Sequence, residues 1–216
     1  MQIAILGGTG PQGRGLASRF ARAGHAVQLG SRDADRAGQA ADDLNTGLPD
    51  GVSVTGGSNA EVVRDADLTI IAVPFDGQKE LLAGLADDLA GQVVVSCVNP
   101  LGFDAQGPHG VEIDEGSAAQ QAASVLPSST VVAGFHHLAA SVLLEDGPVH
   151  DETVMVCGDD AEAKQTVIDL CDAVAARGGV DAGPLRNARY LEPLTAVLIS
   201  INKAHKAQSG IAISGV

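Results

Sequence analysis

Aromatic side chains are scarce in this 216-residue chain, which has no tryptophan, one tyrosine (Tyr190) and four phenylalanines. A pocket built on stacked side-chain rings is poorly supplied, and the core must come from Ala, Val, Leu and Ile. Positive charge is short too. Thirteen Lys and Arg face 27 Asp and Glu, a formal net charge of −14. A polyanion-binding surface needs the opposite balance, so no nucleic-acid partner is expected and only a local cluster of Arg could hold a phosphate. No apolar run approaches the roughly 18 residues that span a bilayer, so no membrane partner is expected either. The chain starts with no basic stretch and runs straight into a glycine turn, which reads as a first strand rather than a signal peptide. Three cysteines (Cys97, Cys157, Cys171) form no Cys-x-x-Cys pair and read as small buried hydrophobes in a reducing cytoplasm. A Gly-x-Ser-x-Gly elbow, a Walker loop and a His-Glu-x-x-His pair are all missing, so hydrolase and nucleotide-triphosphatase readings lack their parts.

What is present is an alternation of short β-rich runs and longer helical ones. Strands are expected at 2–7, 26–30, 52–55, 67–73 and 92–97, with helices at 14–23, 33–44, 59–64 and 76–90. The 67–73 run is apolar along most of its length, as for a strand covered on both faces. This βαβα rhythm predicts an α/β fold, a doubly wound, mostly parallel sheet with helices on both faces. The rhythm loosens over 98–116, read as a long functional or mobile loop. A helix at 117–126, strands at 130–135 and 153–157, a helix at 161–177 stopped by Gly178-Gly179, and a last helix at 190–207 complete the chain. Pro193 either sits in the first turn of that helix or kinks it. No repeat or linker interrupts the chain, which reads as one compact unit.

Gly8-Thr9-Gly10-Pro11-Gln12-Gly13 is a Gly-x-Gly-x-x-Gly directly after a strand and before a helix. In that place its glycines permit a tight turn, backbone approach to a pyrophosphate and close helix–strand packing, so a dinucleotide is expected at the helix N-terminus. The end of the second strand reads Gly30-Ser31-Arg32-Asp33, with Arg36 one helical turn beyond Arg32. An NAD-binding unit usually carries an acidic residue there. Here the paired guanidinium donors and the serine hydroxyl suit a 2′-phosphate, and NADP is favoured over NAD. Asp33 is read as the cap of the next helix rather than a ribose acceptor. Val73 and Pro74, with Phe75, close the fourth strand and either flank the nicotinamide ribose or simply end a strand. Asn99, after the fifth, either bonds an amide or ribose or initiates a turn.

The sixth strand leads into Gly134-Phe135-His136-His137-Leu138-Ala139-Ala140, with the only adjacent histidines. Neighbouring strand residues point to opposite faces and no third ligand stands at metal spacing, so no metal is expected. One His either lines the substrate pocket as donor or proton relay, or is a satisfied structural residue. An alcohol dehydrogenase needs a proton acceptor beside the carbinol, and the lysines lie on apparently exposed helix faces. Hydride transfer between two ring cofactors needs mainly face-to-face positioning and little acid–base work by the protein. That chemistry suits a small domain without a separate substrate-binding half, and no catalytic side chain is assigned beyond His136 as a possible relay.

These residues resemble the F420-dependent NADP oxidoreductases over nearly the whole chain. The resemblance rests on Leu6-Gly7-Gly8-Thr9-Gly10 with Gly13, Gly30-Ser31-Arg32, Cys157-Gly158-Asp159-Asp160, Asp181-Ala182-Gly183-Pro184-Leu185 and the 189–195 stretch. It implies a Rossmann-like domain over 1–150 that binds NADP. A small C-terminal extension, 151–216, would complete a deazaflavin pocket, and the reaction would be reversible hydride transfer between NADP(H) and coenzyme F420. By the same resemblance Thr9 to Gln12 wrap the pyrophosphate, Ser31, Arg32 and Arg36 hold the 2′-phosphate, and Asn99 and Ala140 line the NADP groove. His136 and Leu138 fall beside the deazaflavin, and Ser209 is a C-terminal contact. The chain departs from the family pattern at Ala139, where a proline is usual, and at Ser209, where a bulkier apolar residue is usual. An NADPH-dependent flavin or ferric reductase and a non-catalytic NADP sensor are the alternatives, and a homodimer is expected from the apolar last helix.

Overall fold

The computed structural model describes residues 1–145, 147 and 149–216. Eight strands form one sheet in the order β3-β2-β1-β4-β5-β8-β9-β10. They are β1 (Gln2–Leu6), β2 (Ala26–Ser31), β3 (Val54–Ser58), β4 (Leu68–Ile71), β5 (Val93–Ser96), β8 (Thr130–Ala133), β9 (Val154–Gly158) and β10 (Gly179–Asp181). Every pairing is parallel except β8 with β9. The mostly parallel, Rossmann-like sheet matches the sequence expectation, and residues 151–216 extend the same sheet through its one antiparallel step.

Strand β1 shows why the sheet is covered twice. Ile3 and Ile5 enter one apolar cluster with Leu16, Phe20 and Leu29, while Ala4 and Leu6 enter the other with Val62, Ile71 and Leu82. Alternation sends successive side chains to opposite faces, so both must be roofed. Helices α1 (Pro11–Arg22), α2 (Ala34–Asn45) and α7 (Ala161–Leu170) supply residues to the first cluster. Helices α3 (Asn59–Arg64), α4 (Gln78–Gly84), α5 (Ala118–Val125) and α8 (Ala188–His205) supply the second. The spatial order of strands reverses between β1 and β4, and parallel sheets bind ligands outside the carboxyl ends of the strands at such a switch.

Several elements differ from their sequence expectation. The 76–90 helix is a 3₁₀ turn at Phe75–Gly77 followed by α4, which ends at Gly84, a residue of low helix propensity. Leu85 and Leu89 stay buried without helical structure, so the helical spacing of Leu81, Leu82, Leu85 and Leu89, on which a helix over 76–90 is expected, reported burial rather than helix. The 98–116 segment holds a hairpin, β6 (Leu101–Asp104) and β7 (Gly107–Gly110). The Asp104 carboxylate accepts from the main-chain N–H of Gln106 (2.7 Å) and Gly107 (3.1 Å) and builds its turn. Helix α7 stops at Leu170, and Gly179 begins a strand that the sequence reading missed. Pro193 is the sixth residue of α8, past its first turn. A four-residue helix, α6 (Ala140–Leu143), was also missed. The buried Arg19 holds it by donating to the carbonyls of Leu143 (3.0 Å), Val142 (3.2 Å), Glu145 (3.0 Å) and Gly147 (2.8 Å).

Candidate dinucleotide and ring-cofactor site

Five parallel strands, β1, β2, β4, β5 and β8, deliver their carboxyl ends to one edge of the sheet, and most of the sequence-derived site residues follow those ends. After β1, Gly8 donates to the carbonyls of Ile5 and Gly30, both at 3.1 Å, which folds the turn back over β2. A Cβ on Gly8 would lie 2.9 Å from Leu29 Cα, and one on Gly13 would lie 2.7 Å from Gly8 Cα. Side chains at either position would drive α1 off the strand. Gly10 caps α1 without a side-chain hydrogen bond and Pro11 occupies its first turn. The following N–H groups therefore point outward beside Thr9 and Gln12, which suits an anion. The Gln12 amide reaches across to the Phe135 carbonyl at 3.4 Å, linking this turn to the β8 end.

At the end of β2, the Asp33 carboxylate accepts from the Arg36 main-chain N–H at 3.1 Å and caps α2, as the sequence suggested. Ser31 is half-buried and its hydroxyl accepts from the Asp33 N–H at 3.2 Å. Arg32 and Arg36 are exposed, and among the described residues neither guanidinium has a hydrogen-bond or ion-pair partner. In a chain of net charge −14, two neighbouring unpaired guanidiniums form a local anion-attracting spot.

The ends of β4, β5 and β8 make the opposite wall. Val73 is half-buried, and its Cγ1 would lie 2.9 Å from a Cβ at Gly7, while Pro74 is exposed. Asn99 does not face open solvent with its amide. It donates to the His136 carbonyl at 2.8 Å, and its oxygen lies 3.0 Å from His136 Nδ1. His136 is buried, and its Nε2 has no partner among the described residues. Burial, with a smaller contribution from His137, pushes its pKa down to about 3. At neutral pH His136 is therefore an uncharged imidazole that offers a hydrogen bond rather than an acid proton. His137, buried and also lowered by burial, lies 2.7 Å through Nε2 from the Leu191 carbonyl. The adjacent histidines thus face different partners, and among the described residues no cluster of metal-ligating groups occurs.

Leu138 and His136 line a small cavity with Phe135, Glu152, Thr153 and Ile211. Ala140 begins α6, half-buried. Ser209 donates its N–H to Asn202 at 2.6 Å, and the following segment lies along the start of β9. There Thr153 donates to the Ile211 carbonyl (2.7 Å) and Ile213 donates to the Thr153 hydroxyl (3.1 Å). Glu152, buried beneath Gly210, has its carboxyl pKa raised by burial.

Sequence reasoning missed three residues that hold this wall. Phe135 adopts φ +64°, a left-handed conformation uncommon outside glycine, and its ring packs edge-on against Phe20 at 5.8 Å. Burying the phenyl offsets the backbone strain and aims His136. Glu192 reaches from α8 to the N-terminus of α5, accepting from Ala118 (2.7 Å) and Ala119 (3.0 Å). Burial raises its pKa to about 7 against those two bonds. Thr195 donates to the His136 carbonyl at 3.1 Å. The only advance signal for the last two was their place in the 189–195 stretch.

A Rossmann-like sheet with a glycine turn at its switch point and basic residues at the β2 end defines an α/β protein of the dinucleotide-binding class. The family described as "NADP oxidoreductase coenzyme F420-dependent" matches residues 2–100. The F420-dependent NADP reductase of Methanothermobacter thermautotrophicus is 36% identical over 222 residues, covering 100% of this chain and 96% of that protein. The F420-dependent NADP reductase of Methanocaldococcus jannaschii is 35% identical, covering 100% and 99%. A crystal structure from Arthrobacter sp. FB24, described as a putative F420-dependent NADP-reductase, superposes with a TM-score of 0.82 at 29% identity, covering 99% of each chain. The chain belongs to the F420-dependent NADP reductase family.

Proposed function

We propose that this protein is an oxidoreductase that transfers hydride reversibly between NADP(H) and coenzyme F420. The observation that carries this reading is end-to-end similarity to reductases named for that pair of cofactors. The residues fit the cofactors. Gly8 and Gly13 let the turn pack on β2 and on itself where a Cβ would collide, and the N-terminus of α1 has no side-chain cap. Among the described residues Arg32 and Arg36 lack acidic partners and the buried His136 Nε2 has no hydrogen-bond partner.

In this reading Gly8, Thr9, Gly10, Pro11, Gln12 and Gly13 wrap the pyrophosphate with main-chain N–H groups, and Ser31, Arg32 and Arg36 hold the 2′-phosphate. Val73, Pro74, Asn99 and Ala140 border the nicotinamide end, while His136, Leu138 and Ser209 border the deazaflavin. When bound, the two ring cofactors supply the donor and acceptor carbons and hydride passes directly between them. The protein orients them, excludes water and keeps small side chains where the rings stack. Reduction of the deazaflavin would take up one proton besides the hydride, and with His136 neutral that proton would come from solvent. Residues 1–150 form the NADP-binding part and 151–216 complete the second pocket.

The protein works in the cytoplasm as a homodimer on small-molecule cofactors, without nucleic acid. Exposed Tyr190, Val197 and Ile201 fall on one stripe of α8, beside a hairpin that packs on Pro193. No described helix is long and apolar enough to cross a membrane. The test mixes the protein with NADPH and F420 and follows the loss of the deazaflavin's visible absorbance. Bleaching with NADPH, and not with NADH or with FMN in place of F420, is expected. Tight NADPH binding without bleaching would defeat the proposal.

A further inference from the structure

Asn99 and His136 meet through two contacts whose chemistry fixes a proton. The His136 carbonyl can only accept, so the Asn99 group 2.8 Å from it is the amide nitrogen. That settles the flip of the amide and leaves its oxygen 3.0 Å from Nδ1. An amide oxygen cannot donate, so Nδ1 must carry the hydrogen. In a neutral ring Nε2 is then a bare lone pair, and it is buried with no donor among the described residues. A buried acceptor left unmet is costly enough that such atoms are normally satisfied. The carbonyl contact is not needed to hold the loop, since Thr195 already donates to the same oxygen at 3.1 Å. What Asn99 adds is a side-chain acceptor that favours the Nδ1–H tautomer, beside the Val98 main chain, which also acts on the ring as a hydrogen-bond acceptor.

We propose that Asn99 is a positioning residue that locks His136 as the Nδ1–H tautomer, so that Nε2 accepts an N–H from a bound ring cofactor. The donor is an amide-type N–H, from either the nicotinamide carboxamide or the imide of the deazaflavin pyrimidine ring. The inference rests on the functional reading above for its ligands and on the two hydrogen bonds for its tautomer. The titratable groups near the ring are His137, centroid 6.2 Å away, and Glu152 on the shared cavity wall.

Protein labelled with ¹⁵N-histidine, with His136 assigned by its loss in His136→Asn, reports the tautomer through long-range ¹H–¹⁵N correlations. Wild type should show an Nδ1–H pattern that does not titrate from about pH 5.5 to 8, the range in which an ordinary histidine changes charge. Asn99→Leu should lose that pattern. Asn99→Asp, which keeps the acceptor, should retain it and titrate at higher pH. An Nε2–H pattern in wild type, or an unchanged pattern in Asn99→Leu, would overturn the lock. Adding NADP⁺ alone or F420 alone then asks which ring moves the Nε2 resonance. A shift with either supports the proposal and assigns the donor, and no shift with both overturns the acceptor role. In Asn99→Leu the KM of that cofactor should rise about threefold to tenfold with kcat nearly unchanged, the loss of one hydrogen bond between neutral groups. The spectra need no turnover, so a protein that fails to bleach F420 yet shows the locked tautomer refutes the functional reading alone.

Discussion

The two walls of the crevice are held by different kinds of constraint. On the β1–β2 side the shape is set by main chain and by the absence of side chains: Gly8 against Leu29, Gly13 against Gly8, and the open N-terminus of α1. On the β5–β8 side it is set by side chains that meet across long stretches of sequence. Asn99 bonds His136, His137 meets Leu191, Thr195 bonds His136 and Glu192 caps α5. The first wall tolerates no Cβ at its close approaches and has little to titrate. The second carries His136, His137, Glu152 and Glu192, all buried and all displaced toward neutrality. Geometry should govern one wall and protonation the other.

The sharpest way to break the first wall is Gly13→Val. Its Cβ would lie 2.7 Å from Gly8 Cα and 2.8 Å from the Gly7 carbonyl oxygen, both main chain and unable to swing aside. Overpacking of this kind costs about 3 kcal/mol, and NADP binding should fall below detection. Urea unfolding and calorimetric titration check it, and a variant of near wild-type stability that still binds NADP would show that α1 can shift at little cost. Arg32→Ala leaves the turn intact and removes charge. NADP affinity should fall by about 1–3 kcal/mol while NAD affinity stays put, the scale of lost hydrogen bonds to a charged group. Equal weakening of both dinucleotides would move the 2′-phosphate away from Arg32.

On the second wall the test is pH. Folded Glu192 holds its proton up to about 7, whereas the unfolded chain releases it near 4.5. Between those values the native state binds more protons, so this group's contribution is fully present below the lower value and is lost as pH rises through the upper. Glu192→Gln keeps one acceptor for the α5 amides and removes the titration. The two proteins should differ little at low pH, and by pH 8 the variant should be the more stable by about 1–2 kcal/mol. A difference that does not change with pH would mean that the two N–H bonds fully offset burial.

The same contrast explains what was legible in the sequence. Strand, glycine turn and helix lie within 22 consecutive residues, and each glycine has a local steric reason, so the first wall could be read directly. The parallel sheet was readable for the same reason, because strands such as β4 are buried along their whole length. The second wall is assembled by contacts between residues 37 to 74 positions apart, which no local pattern announces. Leu81, Leu82, Leu85 and Leu89 predicted one long helix, and tertiary burial of the last two in turns overrode the periodicity. Phe135 was invisible too, since a phenylalanine in a strand run gives no hint of positive φ.

Asp33 sets the finest edge of the comparison, because it stands where an NAD-binding unit places its ribose acceptor. Here its carboxylate is spent on the Arg36 N–H at the start of α2. Asp33→Ala should cost about 1 kcal/mol of stability, the usual worth of an N-cap, and leave NAD affinity unchanged. NADP affinity should hold or rise slightly, because a negative charge leaves the neighbourhood of the 2′-phosphate. Thermal unfolding and paired titrations with the two dinucleotides read both effects. A tenfold loss of NAD binding, with stability untouched, would make Asp33 a ribose ligand after all. The first wall would then recognise its cofactor through a side chain on the acidic pattern, and Arg32 would have to share the site rather than define it.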